Sequence, residues 1–503
     1  MEIRSPSDGH PVGRVPVSSD EAVGRAVEAC RRSQEGWGAL DPDHRSRLLS
    51  GLREGLTERM EDVVDLIVQE TGRPEVEAVA EGMVVLNTLA RWERRAPKVL
   101  ASRRVSLGGL VWKSGRIHRD PFGVVAVVGS WTAPFASIAG PAFAALFAGN
   151  GVVVRPSEHT PFTGRFLEEV SREAGLPDEL VNVVQGRWPA VEALVRSGAD
   201  RVHFRGGVEG ARRVAGWAAM EGLPVTVEVE GKGAAVVLDD GDLDRAARSL
   251  AWGAFRGSGQ ASHTIGWIYV TDGAYDSFLR RFRKVVSRLR AGSGGGVDVG
   301  PLGVSRELSR LEAHVEDALA RGARVVEGGA RADPASNVFH PTVLAEVPRN
   351  ARAALEPVAG PLVCLFRVAD GEEALRWIRE GPPVTSASVW TRSREEGERL
   401  ATSLGGEGCA LNDVWSPHTL AILGRGDRGD ASSSRNGLDH RLLAFTRTRS
   451  VVKNRLPVSW DPWWFPYGES TLCFLRSFGG FGSPGGPAAG LPAAVRAMVR
   501  RRP

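Results

Sequence analysis

From residue 123 onward the chain alternates short apolar runs with helix-like stretches, and this alternation restricts the fold more than any other feature. Residues 123–128 are a continuous apolar run rich in valine, 137–147 read as an apolar helix, and 152–155 form a second buried run. Runs that are short and apolar throughout suit strands covered on both faces. The same order continues through 180–184 and 201–204, which predicts a parallel sheet joined by crossover helices. After 225–230 the pattern starts afresh, with strands at 235–238 and 267–270 around a helix at 243–254, so a second α/β domain is expected to close near residue 424. No repeat of solenoid period is visible.

Ahead of this region, residues 20–72 carry a helical pattern: Ala22, Val23, Ala26, Val27 and Cys30 recur at three- and four-residue steps, as do Leu48, Leu49, Leu52 and Leu56. Residues 108–120 read as a hairpin turning at Ser114-Gly115. Two stretches, 424–436 and 479–490, have the Gly, Ser, Asp and Pro content of loosely ordered segments. The final residues, 491–503, are basic and end in Arg500, Arg501 and Arg502; a solvated tail is expected, with contact to an acidic surface as the other reading.

Composition excludes several classes. A chain of 503 residues, 42% hydrophobic and 25% charged, is long enough for more than one domain with its own core. The basic excess is only four charges, too small to call for a nucleic-acid partner. Cys30, Cys364, Cys409 and Cys473 lack metal-ligand spacing, so neither a structural metal nor a disulfide framework is expected, and a reducing cytoplasm fits. No stretch is long and apolar enough for a transmembrane segment.

Short motifs then narrow the reading. Trp37, Arg45 to Leu49 and Glu70-Thr71-Gly72-Arg73-Pro74 are similar to the N-terminal helices of aldehyde dehydrogenases. Pro121-Phe122-Gly123-Val124-Val125, Ser130-Trp131-Thr132-Ala133-Pro134 and Val153-Val154-Arg155-Pro156-Ser157-Glu158 follow that family's PxGVV, PWN[FY]P and KPSE segments in order. Glu228-Val229-Glu230-Gly231-Lys232 resembles its ELGGK segment, and Gly259-Gln260-Ala261-Ser262 resembles GQxC at the family's interval. Gly360-Pro361, Leu411-Asn412 and residues 443–452 resemble its FGP motif, IN motif and closing oligomerisation strand, so the likeness runs from about residue 20 to about 455.

The resemblance implies an aldehyde dehydrogenase-like α/β fold. Residues 1–106 and 121–230 would form N-terminal helices and a Rossmann-like cofactor domain, and 231–424 a catalytic-type α/β domain. Residues 107–120 and 437–456 would be oligomerisation strands, and 457–503 an extension with a basic tail. The family oxidises an aldehyde to an acid with NAD or NADP, through a cysteine thiolate that attacks the carbonyl and leaves a thioester for water to cleave. Ser262 stands at the cysteine position, Glu228 at the general-base position and Thr132 at the position of the oxyanion-binding asparagine. A serine hydroxyl is essentially never ionised unaided near neutral pH, so Ser262 keeps the shape of the nucleophile and not its reactivity. His263 follows directly, but neighbouring side chains on one backbone usually diverge, which disfavours a Ser/His pair.

For the cofactor, the resemblance implies contacts from Trp131, Arg155, Ser157, Glu158, Gly206, Gly207 and Glu356, with departures. Arg155 replaces a lysine, Gly206-Gly207-Val208-Glu209-Gly210-Ala211 lacks the hydroxyl of GSTxxG, Pro357 stands where a ribose-binding glutamate is expected, and Glu356 is one step early. The family's closing PFGG is absent from 420–426. Together these changes imply weak or absent oxidation and a binding, scaffold or regulatory role. The alternatives are an active NAD(P)-dependent oxidoreductase that works without cysteine, and an esterase using Ser262. The implied partners are an aldehyde or related small molecule and further subunits, as a homodimer, homotetramer or hetero-oligomer with an active relative.

Overall fold

The computed structural model describes residues 1–108, 110, 112–404, 408–416, 437–455, 461 and 463–478. The loop at 424–436, residues 420–426 where PFGG is absent, the stretch 479–490 and the basic tail lie outside the described residues. These residues fall into two compact units, one from Met1–Val99 with Pro121–Thr446, the other from Leu100–Asp120 with Arg447–Pro503.

The first unit opens with a two-stranded hairpin, β1 (Glu2–Arg4) and β2 (Pro11–Arg14). Three helices then cover 20–72, as the periodicity predicts: Asp20–Ala39, Pro42–Glu58 and Met60–Thr71. Side-chain oxygens of Ser19 and Asp41 cap the first two by accepting from Ala22 and His44 N–H groups, and Gly72 ends the third in the left-handed region at φ 68°. A fourth helix, Glu75–Leu100, follows.

Strands β3 (Arg103–Val105) and β4 (Lys113–Pro121) belong to the second unit. Here the hairpin expected at Ser114-Gly115 is corrected. Gly115 lies inside β4 opposite Val105, and the chain reverses earlier, where Leu110 N–H donates to Leu107 C=O and Gly108 has φ 62°. A Ser-Gly pair permits a turn without demanding one; Gly115 serves close packing instead, since a Cβ there would stand 2.9 Å from Leu107 Cδ2.

The five-stranded sheet consists of β5 (Val124–Val128), β6 (Gly151–Arg155), β7 (Val181–Val183), β8 (Arg201–Gly206) and β9 (Val225–Val229). All are parallel, in the order β7-β6-β5-β8-β9, and every residue of β5 and β6 is buried. This is the Rossmann-like sheet expected from the apolar runs, and its order reverses between β5 and β8.

The seven-stranded sheet contains β10 (Lys232–Val237), β11 (Thr264–Thr271), β12 (Arg324–Glu327), β13 (Thr342–Ala345), β14 (Leu362–Val368), β15 (Ala387–Trp390) and β16 (Cys409–Leu411). Only β12, at its edge, runs antiparallel to its neighbour. Along β10, Ala234 and Val236 enter one hydrophobic core while Ala235 and Val237 enter another, because successive strand side chains face opposite sides.

The closing strand is shifted from 443–452. Residues Leu438–Ala444 are helical, and β17 runs Thr446–Asn454. Within the second unit, β17, β4 and β3 form a sheet in that order beside a small core of Trp112 and Phe474, with Leu110 and Trp463 packed on it. Buried Asp461 accepts from Trp112 Nε1 at 3.0 Å and Lys113 Nζ at 2.6 Å. A last helix spans Glu469–Phe478. Among the described residues, no helix is long and apolar enough to cross a membrane.

Candidate active site

Helix Glu75–Leu100 carries two glutamates one turn apart, and they hold the two loops that meet at the site. Glu81 pairs with Arg73 at 2.8 Å and accepts the N–H groups of Phe135 (2.9 Å) and Ala136 (2.8 Å). It thereby caps helix Ala136–Phe147 and fixes the loop that presents Thr132. Glu77 accepts the Gly257 N–H at 2.6 Å. That bond anchors the loop before Ser262, where Gly257, Ser258 and Gly259 all have positive φ (58°, 55° and 66°). Sequence reading missed both glutamates, because the loop groups they hold lie 54 and 180 residues away and leave no local signal.

A second tether comes from Lys232 at the start of β10. Its Nζ donates to Gly259 C=O at 2.7 Å and to Gly360 C=O at 3.2 Å. Burial pushes the Lys232 ammonium down from its ordinary 10.5 to about 7. The two backbones approach so closely that a Cβ on Gly259 would stand 2.1 Å from the Gly360 oxygen. The GQxS and Gly-Pro segments are thus bound by backbone contact.

Between these loops lies a cavity of about 590 Å³. Val76, Ala80, Val84, Phe143, Trp252 and Phe255 are among its apolar walls, and Thr132, Ser262, His263, Arg205 and Arg256 line it as polar groups. Ser262 is buried, and its Oγ has no hydrogen-bond partner, so no Ser262–His263 hydrogen bond forms. The His263 backbone is left-handed at φ 68°, and its N–H donates to Gly231 C=O at 3.2 Å. Arg256 donates to Ser262 C=O at 3.3 Å and lies 5.2 Å over the Trp252 ring; burial lowers its guanidinium to about 10.

Thr132 is already engaged. Its hydroxyl donates to the Glu230 carboxylate, with Ser130 Oγ 3.1 Å away. Arg205 bridges the two acids, 3.5 Å from Glu230 and 3.9 Å from Glu228. Glu228 itself lines a neighbouring cavity of about 40 Å³ with His203, Thr226 and Arg441; Arg205 and Arg441 line both. Burial lowers His203 to about 4, leaving it neutral near pH 7. The structure therefore brings Ser262 and Thr132 to one cavity and sets Glu228 in the adjoining one. Glu230 and Arg205 were not singled out from sequence, although a glutamate where ELGGK has glycine was a visible signal.

No cysteine is among the described residues lining the large cavity. Cys30 and Cys364 are buried thiols beside the Leu180 and Ala353 carbonyls, and burial pushes each up to about 12. No cluster of possible metal ligands occurs among the described residues.

The expected cofactor residues gather mainly at the C-terminal ends of the five-stranded sheet. Gly207 is the N-cap of helix Val208–Met220 directly after β8, and nothing stands within 4 Å of where its Cβ would be. The N–H groups of that first turn can therefore meet an anion closely. Arg155, at the end of β6, is buried and donates to Gly186 C=O (2.9 and 2.7 Å) and Glu158 (2.5 Å). Burial is the largest influence on the Glu158 carboxyl and works to raise it, but the Arg155 charge, hydrogen bonds from the backbone and from Arg155, and His159 together outweigh it, and the net shift is downward. Ser157 Oγ accepts from His159 N–H at 3.3 Å, and Trp131 lies against Gly303. Glu356 belongs to the other lobe, 3.2 Å from Arg352 and 3.4 Å from His314. The Gly207 cradle and the Arg155–Glu158 pair suit a dinucleotide; beside Pro357, the Glu356 carboxylate is paired with Arg352.

A parallel five-stranded sheet with a topological switch point, joined to a second α/β lobe and a cavity lined by apolar side chains, hydroxyls and arginines, is the two-lobed architecture of the dehydrogenase type. The comparison with known proteins is more specific: residues 1–451 match the aldehyde dehydrogenase family, and the chain belongs to it. It is 33% identical over 477 residues to the 4,4'-diapolycopene aldehyde oxidase of Methylomonas sp, covering 94% of this chain and 89% of that protein. It is 32% identical over 379 residues to the NADP-dependent succinate-semialdehyde dehydrogenase GabD of Escherichia coli K12, covering 75% and 78%. The NADP complex of NADP-dependent glyceraldehyde-3-phosphate dehydrogenase from Bacillus halodurans C-125 superposes with TM-score 0.84 at 27% identity, over 91% of this chain and 96% of that one. Two of these relatives are thus NADP-dependent by name, and PnpE from Pseudomonas sp. WBC-3, a further structural neighbour at 26% identity, is held in complex with nicotinamide adenine dinucleotide.

Proposed function

We propose that this protein binds NAD(P) and an extended apolar aldehyde, and oxidises the hydrated aldehyde slowly without a covalent enzyme intermediate. The observation that carries the reading is the hydrogen bond from Thr132 to Glu230 beside a cavity with no thiol among its described lining residues. The relatives matched over most of their length are named as aldehyde oxidases and dehydrogenases, which supports turnover over a purely structural role. The apolar walls, and the polyene aldehyde in the name of the Methylomonas relative, support a lipophilic substrate.

Bound NAD(P) supplies the hydride acceptor; the Gly207 helix terminus and the Arg155–Glu158 pair would hold its diphosphate and ribose. Ser262 Oγ, with no other partner, donates a hydrogen bond to the substrate oxygen. One hydroxyl of the hydrate gives its proton to Thr132 Oγ1, which passes its own to Glu230. The carbon loses hydride, the remaining oxygen pair becomes the acid, and the water consumed is the one that hydrated the aldehyde. Arg205 holds Glu230 in place. A carboxylate here accepts protons well and stabilises an oxyanion badly, so the same arrangement opposes the family's thioester route.

The deciding measurement is NAD(P)H formation from long-chain aldehydes by the purified protein and by Glu230→Gln. Activity that the variant loses supports the proposal. The second reading, binding or subunit regulation without turnover, is favoured by the Ser262 hydroxyl having no base in hydrogen-bond reach; saturable cofactor binding by calorimetry with no NAD(P)H would establish it. Association with itself or an active relative through the exposed edge strand β17 is part of the same proposal.

A further inference from the structure

We propose that Glu77 and Arg256 form a polar subsite in the cavity wall that takes a hydroxyl group carried close to the aldehyde carbon of the substrate. The inference rests on the reading that an aldehyde occupies the cavity, and it narrows that substrate to a hydroxylated class. Glu77, Arg256, Gly257, Ala261 and Ser262 all line the one cavity. One Glu77 oxygen accepts the Gly257 N–H at 2.6 Å, whereas Oε2 is shielded from solvent and has no hydrogen-bond partner. Arg256 is divided in the same way: a terminal nitrogen donates to Ser262 C=O at 3.3 Å, and Nε is shielded without a hydrogen-bond partner. Each side chain is held in place by one bond and keeps a further polar atom for a ligand.

The loop geometry sets this pair beside Ser262. A Cβ on Gly257 would stand 3.0 Å from Ala261 Cβ and 3.9 Å from Glu77 Oε2, so Oε2 lies on the side of the loop that carries Ala261, the residue before Ser262. With glycine at 257, no side chain comes between them. Arg256 is fixed as well, its guanidinium carbon 5.2 Å over the Trp252 ring. Groups held this firmly lose little freedom when a ligand arrives. Two other arginines of the wall are already paired, Arg73 with Glu81 at 2.8 Å and Arg205 with Glu230 at 3.5 Å.

The chemistry of the pair selects the ligand group. An ionised glutamate only accepts hydrogen bonds and an arginine only donates them. A carboxylate would satisfy Arg256 and be repelled by Glu77, an ammonium would do the reverse, and a methylene would leave both charges unmatched away from water. A hydroxyl serves both, donating to Glu77 Oε2 while accepting from Arg256 Nε. It also reproduces the bonds of any water it displaces, which an alkyl chain cannot do. Burial is the largest influence on the Glu77 carboxyl and raises it; the Gly257 N–H and the Arg73 and Arg256 charges oppose it, Glu81 adds to it, and the net shift is upward. Recognition of the hydroxyl therefore belongs to pH values well above the ordinary carboxylate range.

The test is calorimetric binding, at about pH 8 and without nicotinamide cofactor, of a straight-chain methyl ketone, its α-hydroxy and β-hydroxy derivatives, and a keto acid of the same length. None of these is an aldehyde, so binding is read whether or not the protein oxidises anything. One of the hydroxy ketones should bind about tenfold or more tighter than the parent, the scale of hydrogen bonds to charged groups. Glu77→Gln keeps an oxygen for the Gly257 N–H and presents an amide donor in place of Oε2; the hydroxyl advantage should fall to about threefold or less, and the keto acid should become the tightest ligand. Arg256→Met, which should also remove the advantage, is a second variant should the first fail to fold, with melting temperature as the check on both. Three results overturn the proposal: a parent ketone that binds as tightly as both hydroxy ketones, a folded Glu77→Gln that keeps the full advantage, or a wild type that prefers the keto acid, which would make the pair an anion site. Failure of every ketone to bind would overturn it together with the aldehyde reading, while NAD(P)H formation decides the oxidation step separately.

Discussion

The loop framework around the cavity and the reactive end of the cavity have different tolerances. In the framework, Gly259 lies against Gly360, Lys232 ties both carbonyls, and Glu77 and Glu81 hold the two loops from one helix. At the reactive end, Ser262, Thr132 and Glu230 stand at the positions that the motif resemblance assigns to the family's cysteine, asparagine and glycine. The Gly259–Gly360 approach is fixed by backbone distance, so a side chain there has to move main chain, while Lys232, Glu77 and Glu81 each hold a backbone group of a loop. At the reactive end Ser262 and Thr132 line the open cavity, and exchanging them changes chemistry with little effect on folding.

Substitutions test how far that contrast holds. The largest effect is expected for Gly259→Ala, whose methyl would meet the Gly360 oxygen at 2.1 Å in a backbone at φ 66°. We expect a loss of about 3 kcal/mol or more, read by urea denaturation or as failure to accumulate folded protein. A fully stable Gly259→Ala would mean the framework is softer than its distances indicate.

At the other end, Ser262→Cys alone should gain little aldehyde oxidation, because Thr132 remains bonded to Glu230. Adding Glu230→Gly should raise the rate about 10²-fold over Ser262→Cys, the scale of one oxyanion donor, while Glu230→Gly in the Ser262 background should abolish the slow activity. This reversal of sign is checked by NAD(P)H formation in the four proteins of the cycle. Equal effects in both backgrounds would contradict the proton path through Thr132.

Lys232→Met removes two hydrogen bonds and should cost about 1 to 3 kcal/mol. It also has a pH signature. The Lys232 pKa falls from 10.5 to about 7 on folding. The unfolded chain thus binds more protons between those values, and this residue's contribution makes wild-type stability rise as pH rises from 7 toward 10.5. Lys232→Met should lack that component, so denaturation at pH 7 and pH 9 should separate the two proteins differently. The smallest effect is expected for Arg155→Lys, which relaxes the guanidinium's hold on Glu158 and Gly186; cofactor affinity measured by calorimetry should change by about threefold or less.

Much of the fold was legible because its strands announce themselves: the valine runs of β5 and β6 are buried on both sides and admit few other readings. The turn before β4 was not, since Ser114-Gly115 satisfies the local chemistry of a turn and only the pairing with β3 shows where the chain reverses. In the site, Ser262 and Thr132 could be found by their place in motifs. Glu77, Glu81 and Arg205 could not, because their roles depend on partners between 23 and 180 residues away in sequence. Long-range electrostatic pairing leaves no local period to read.

Helix Glu75–Leu100 supplies Val76, Ala80 and Val84 to the cavity wall and, from the same turns, the carboxylates that grip both loops. Bore and alignment are therefore set by one rigid bar. Widening the channel to admit a bulkier guest by reshaping this helix would also disturb the registration of the groups that meet the carbonyl, so selectivity and turnover rate should shift together whenever it is altered.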